Sequence, residues 1–188
     1  MNLAWIDLET TGTHPEADRI IEVGLVVTNQ HLETLLEGSW TVGPPDTLCM
    51  TPTVAAMHAR NGLLEELSEV GGPPLADIDH DLVSVVGPYL KGGRIILAGS
   101  GVAHFDRKFI DAQLPELAKR LTYYTIDVGV IRRFMDKVVG APKPADYPTP
   151  DGKTHRALDD IRLHVDEARS WRDHLQVQAQ PATVPRGL

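Results

Sequence analysis

Asp7 and Glu9 stand two residues apart in the run Leu3-Ala4-Trp5-Ile6-Asp7-Leu8-Glu9-Thr10-Thr11-Gly12. Such an apolar run reads as a buried strand. Strand side chains alternate between faces, so the two carboxylates share one side while Leu8 points to the other. Two like charges in a low-dielectric setting push each other's pKa upward unless a divalent cation supplies the missing positive charge. An isolated Asp-x-Glu also suits the wet face of an edge strand. Trp5, Ile6 and Leu8 around the pair, and Thr-Thr-Gly after it, weigh toward the interior reading. Two more carboxylates, Asp106 and Asp160, follow much later in the chain, with His155 five residues before the last. Together they supply what two-metal phosphodiester hydrolysis needs: hard oxygen ligands for two Mg²⁺ or Mn²⁺ ions and a base beside the attacking water. An imidazole titrates near neutrality and suits that last task.

The elements between these residues must carry them to one place. After a turn rich in Gly, Pro and Asp, residues 19–27 read as a β-branched strand and 34–42 as a third, which predicts an antiparallel meander. Residues 44–72 read as turns and short helix, and His58 within them is, taken alone, a core or surface histidine. Ile78, Leu82, Val85, Val86, Tyr89 and Leu90 keep the three-four spacing of an amphipathic helix, stopped by Gly92-Gly93. Ile95-Ile96-Leu97-Ala98 follows as a buried strand, and a helix between strands implies a crossover and hence a mixed sheet. Asp106 comes after that strand's end and a glycine loop, where ligands of open α/β sheets gather; its bland role there is helix capping. A short helix over 114–121, a strand over 124–128, a helix over 130–139 and a loop over 140–154 complete the reading before a long last helix.

The last helix decides between two neighbouring acids. With about 100° per residue and Leu158 at zero, its apolar stripe centres near roughly 280°, Asp160 falls near roughly 200° and Asp159 near roughly 100°. Asp160 therefore flanks the buried face, and Asp159 turns to water.

The chain's 188 residues suit one domain, here 1–176, with a polar tail over 177–188 expected to be disordered. A formal net charge of −8 argues against a protein that grips long nucleic acid by neutralising phosphates, though not against a metal enzyme acting on a short anionic substrate. Cys49 is the single cysteine, which excludes an intramolecular disulfide and a cysteine zinc site and fits a reducing compartment. Neither a signal peptide nor a membrane span is read, and the expected location is the cytoplasm.

At these residues the chain resembles the DEDDh 3′→5′ exonucleases of the ribonuclease H-like superfamily. Asp7-x-Glu9 with Thr-Thr-Gly is similar to the first motif of that family, Phe105-Asp106-x-x-Phe109 to the second and His155-x4-Asp160 to the third, in the family's order. Met57-His58 with Gly62-Leu63, and His155-x-Ala157-Leu158-Asp159-Asp160-Ile161, resemble the oligoribonuclease branch in particular. The resemblance implies an α/β fold with a mixed five-stranded sheet flanked by helices. It also implies release of nucleoside 5′-monophosphates from the 3′ end of short single-stranded oligonucleotides, and commonly a homodimer. It makes Asp7, Glu9, Asp106 and Asp160 the metal ligands and His155 the catalytic base. By their position flanking Glu9, Leu8 and Thr10 are expected to meet the terminal nucleotide, Leu8 wedging against a base; their plainer roles are strand packing for Leu8 and turn formation for Thr10. The resemblance adds His58 to the nucleotide pocket, and Phe105 is read as a further substrate contact. The sequence departs from the pattern where Ser100-Gly101 replaces a customary asparagine, and where Tyr123-Tyr124 lacks a neighbouring arginine that would hold a 5′-phosphate. Competing readings are a proofreading or single-stranded DNA exonuclease, and a catalytically silent binding domain of the same fold.

Overall fold

The structure, a computed structural model, describes residues 1–43, 49–149 and 154–179. A five-stranded sheet in the order β3-β2-β1-β4-β5 forms its centre. The strands are β1 (Leu3–Thr10), β2 (Ile20–Thr28), β3 (Thr34–Thr41), β4 (Ile95–Gly99) and β5 (Leu121–Asp127). The first three form the expected antiparallel meander. β4 runs parallel to β1, and β5 parallel to β4, so the sheet is mixed.

Around it lie α1 (Pro52–Arg60), α2 (Leu63–Glu69), α3 (Leu75–Val86), α4 (Asp106–Gln113), α5 (Pro115–Ala118), α6 (Val128–Phe134) and α7 (Ala157–Ala179). The helix read through Leu90 ends sooner, at Val86, and a 3₁₀ turn over Gly87–Tyr89 finishes it, because Gly87-Pro88 breaks the ladder. β5 starts at Leu121, earlier than its β-branched residues suggested, since pairing with Ile95 of β4 begins there. α7 continues to Ala179, so residues 177–179 are helical where a disordered tail was expected; residues 180–188 lie outside the described residues. Among the described residues no helix is long and apolar enough to cross a membrane.

Alternation along β1 sorts the core into two layers. Ala4, Ile6 and Leu8 pack on one face with Leu82, Val86, Phe109 and Ile110 of α3 and α4. Leu3 and Trp5 pack on the other with Ile161 and Val165 of α7. Asp7 and Glu9 have the parity of Leu3 and Trp5, so they lie under α7, the helix that carries Asp160.

Candidate active site

Glu9, His155 and Asp160 converge: one ligand atom from each lies within 4.8 Å of the other two. Glu9 is buried on β1, Asp160 is buried in the first turns of α7, and His155 precedes that helix with half-buried side chain and a left-handed φ of 50°. Asp159 instead pairs with Arg162 at the surface, 3.1 Å away, on the solvent side that the helical phase assigned to it.

β2 explains how α7 comes so close. Gly24 stands opposite Asp7, and a Cβ there would lie 2.7 Å from the backbone carbon of Ala157 and 2.8 Å from the Ile161 side chain. Glycine in a strand often marks such an approach, a signal present in the sequence but not used. Gly24→Ala should lower stability by about 1–3 kcal/mol through overpacking and reduce turnover by lifting the start of α7 from β1. Chemical denaturation and oligonucleotide turnover on the same variant check both. Full stability with full turnover would show that the contact is slack.

Glu22, directly opposite Glu9 in the register, completes the docking. Its carboxylate accepts from the Ala157 N–H at 3.0 Å and from Arg156 Nη2 at 2.9 Å, and the same Nη2 donates to Glu66 of α2 at 2.8 Å. A buried acid at a helix start satisfies orphan N–H groups and suits the helix dipole. Sequence reading missed Glu22 because the docking partners Arg156 and Ala157 are more than 130 residues away and meet it only once α7 lies on the sheet.

Asp106 reaches the site from α4. It is the first helical residue, with Phe105 in the cap position, so the capping role considered for it does not apply. β4 pairs with β1 only as far as Trp5, and beyond that point the Leu8 N–H donates to Asp106 Oδ1 at 3.0 Å. The approach to Asp106 is held by Asp127, whose Oδ1 accepts from Gly101 N–H in the glycine loop and from Val130 N–H at the start of α6, both at 3.0 Å.

Burial raises two of these acids. Burial pushes Glu9 up to about 8, reinforced by the negative charges of Asp160, Glu22 and Asp106. Burial likewise pushes Asp106 up to about 7, against hydrogen bonds from its own backbone and Leu8 that favour the ionised form. Hard oxygen donors of this kind, with the ionisation of Glu9 and Asp106 suppressed, fit divalent cations, which would restore the charged forms.

The residues expected to contact substrate sit as follows. The Leu8 side chain is buried in the core cluster on the far face of β1. Thr10 Oγ1 donates to the Gly12 carbonyl at 2.6 Å, which is turn formation. His58 is wholly enclosed; its Nε2 donates to the Thr10 carbonyl at 3.0 Å, and its Nδ1 is 3.8 Å from Glu9. Burial lowers its pKa, so the ring is neutral and backs the β1 end. All three side chains are buried against β1 or its end. Phe105 is half-buried, its ring centroid 5.1 Å from that of Phe109. Two clefts do open at the cluster. One, of about 440 Å³, is lined by Ser100, Arg132, Lys143, Tyr147 and Asp160 among others. The other, of about 700 Å³, is lined by Met57, Arg60, Asn61 and His155 among others.

Comparison with known proteins places this arrangement. The exonuclease family model RNase_T matches residues 4–66, which include Asp7 and Glu9. The oligoribonuclease of Coxiella burnetii is 34% identical over 179 residues, covering 93% of this chain and 94% of its own. The mitochondrial oligoribonuclease of Homo sapiens is 31% identical over 176 residues, covering 92% of this chain and 73% of its own. Among solved structures, exonuclease I from Methylocaldum szegediense superposes with a TM-score of 0.73 at 19% identity, over 93% of this chain and 41% of that one. The zinc-bound E. coli exonuclease I complex with single-stranded DNA gives 0.71 at 15%, again over 93% and 41%. The exonuclease I structures share the fold, while the sequence relatives match over more than nine-tenths of this chain at 31–34% identity: the chain belongs to the oligoribonuclease family.

Proposed function

We propose that this protein is a 3′→5′ exonuclease that shortens small single-stranded oligonucleotides, RNA foremost, to nucleoside 5′-monophosphates in the cytoplasm. The observation that carries the reading is the convergence of Glu9, Asp160 and His155 on one face of β1. The names of the sequence relatives support it, as does the single-stranded DNA in the E. coli exonuclease I complex.

Asp7, Glu9, Asp106 and Asp160 are the residues to hold two Mg²⁺ or Mn²⁺ ions. Bound there, the ions supply positive charge to the phosphate oxygens and acidify water. His155 accepts the proton of the attacking water; the water oxygen bonds to phosphorus as the bond to the 3′ oxygen breaks, and that oxygen leaves and takes a proton. The terminal nucleotide departs with its phosphate. Arg60 in one cleft and Lys143 in the other lie where the phosphates of a short strand would run. The exposed Tyr123 and Tyr124 on edge strand β5, with Val130 and Phe134 of α6, offer an apolar surface for a homodimer.

Chelation should abolish hydrolysis of a 3′-labelled oligonucleotide, and added Mg²⁺ or Mn²⁺ should restore it. His155→Ala should lose about 10²–10⁴-fold in kcat, the usual worth of a positioned base, while calorimetry still records metal binding. Undiminished activity after exhaustive chelation would refute the proposal, and so would a protein inert under every metal condition, which would favour a silent binding domain.

A further inference from the structure

We propose that Asn61 is a positioning residue for His155, its amide holding the backbone that aims the imidazole at Glu9 and Asp160. This rests on reading His155 as the base. Asn61 sits at the corner between α1 and α2, where Gly62 takes a left-handed φ of 80°. Its side chain works in two directions at once. Oδ1 accepts from the Leu63 N–H at 3.1 Å, fixing the first turn of α2, and Nδ2 donates to the carbonyl of His155. The amide orientation follows from these partners, since an N–H must meet an acceptor and a carbonyl a donor.

The second bond falls where the backbone needs holding. His155 has a φ of 50°, and among the described residues the one other non-glycine residue with positive φ is Leu32 in the β2–β3 turn. An L-residue released from that region returns to negative φ, because its Cβ crowds the carbonyl there. Such a return would swing the Cβ and imidazole of His155 away from the carboxylates. The next residue is already gripped, Arg156 by Glu22 and by Glu66 of α2. With the His155 carbonyl tied to the same α1–α2 corner, only side-chain rotation is left to the imidazole. The carboxylates are held by other elements, so losing this tie should misplace the base and spare the metal ligands.

Asn61→Asp and Asn61→Ser separate the two bonds. Both keep an oxygen acceptor for the Leu63 N–H; the carboxylate cannot donate to His155, and the serine hydroxyl is too short to reach it. Each is placed in the wild type and in His155→Ala, and kcat, KM, Mn²⁺ affinity and Tm are measured on a dinucleotide substrate. In the wild type kcat should fall about 10- to 100-fold, the scale of a misplaced catalytic group, with KM, Mn²⁺ affinity and Tm little changed. In the His155→Ala background the same substitutions should cost less than about twofold, because a residue acting through the imidazole has nothing left to position. Equal losses in both backgrounds, or no loss in the wild type, would overturn the role of Asn61 while leaving His155 as base. Wild-type turnover in His155→Ala alone would instead overturn the reading of the base, and this proposal with it.

Discussion

Asp160→Asn should lower turnover by about 10³-fold or more and weaken metal binding, while Asp159→Asn keeps most of both. Removing a ligand forfeits part of a charge stabilisation worth several kcal/mol, and each ~1.4 kcal/mol is tenfold in rate. Asp160 is buried against Glu9 and His155, whereas Asp159 holds only a surface pair with Arg162. An exposed i,i+3 pair contributes a few tenths of a kcal/mol, so its loss should barely register in Tm. Metal titration and oligonucleotide turnover on the two variants measure the contrast. The opposite ranking would mean that the site draws its ligand from the outer face of α7.

Stripped of metal, the wild-type protein should be less stable than Glu9→Gln at pH 8, and nearly equal to it at pH 4. Folding carries the Glu9 carboxyl from its ordinary 4.5 to about 8. Between those values the folded state keeps a proton that the unfolded chain gives up, so stability falls as pH rises and levels off above the folded pKa. His58 contributes the opposite slope: buried and neutral, it binds fewer protons than the unfolded chain below its ordinary 6.5. The quantity to read is therefore the difference between wild type and Glu9→Gln, in which the part of the His58 contribution that comes from its burial cancels. It should grow to a few kcal/mol, at about 1.4 kcal/mol per unit of pKa shift. Mn²⁺ should reverse the ranking, since a cation that binds the folded state alone stabilises it by mass action. Chemical denaturation of both proteins from pH 4 to 9, with and without Mn²⁺, gives the answer. A flat difference in the metal-free series would place Glu9 in a wetter setting than its burial indicates. The activity of Glu9→Gln should be lost under all these conditions.

Local pattern carried much of this site. The parity of Asp7 and Glu9 follows from strand geometry alone, and the phase of the apolar stripe separates Asp160 from Asp159 within one helix. Both are relations between near neighbours, which periodicity records. Glu22, Gly24 and Asn61 were not found in this way. Glu22 reads as one polar residue in a β-branched run, and its reason for being there is the Ala157 N–H, 135 residues later. Gly24 reads as a weak point in a strand until α7 is laid across it. Asn61 reads as a turn residue, and its other partner is 94 residues away. The burial of Leu8, Thr10 and His58 was hidden for the same reason. Motif position associates them with substrate, but the packing of α3 and α4 on one face of β1, and of α1 behind its end, encloses their side chains.

The docking of α7 on β1 and β2 also bears on how the protein is made. Along the chain Asp7 and Glu9 are made first, Asp106 after them, and His155 and Asp160 after all three. On the proposed assignment, a nascent chain in which α7 is not yet made holds at most part of the cation site and lacks the base, so it should be inert toward the RNA that surrounds it during translation. Contacts between the first and last parts of a chain form slowly, because the whole intervening loop must close. Nuclease activity therefore appears only when the last helix has seated, and it reports completion of the fold more sharply than any probe of the sheet alone.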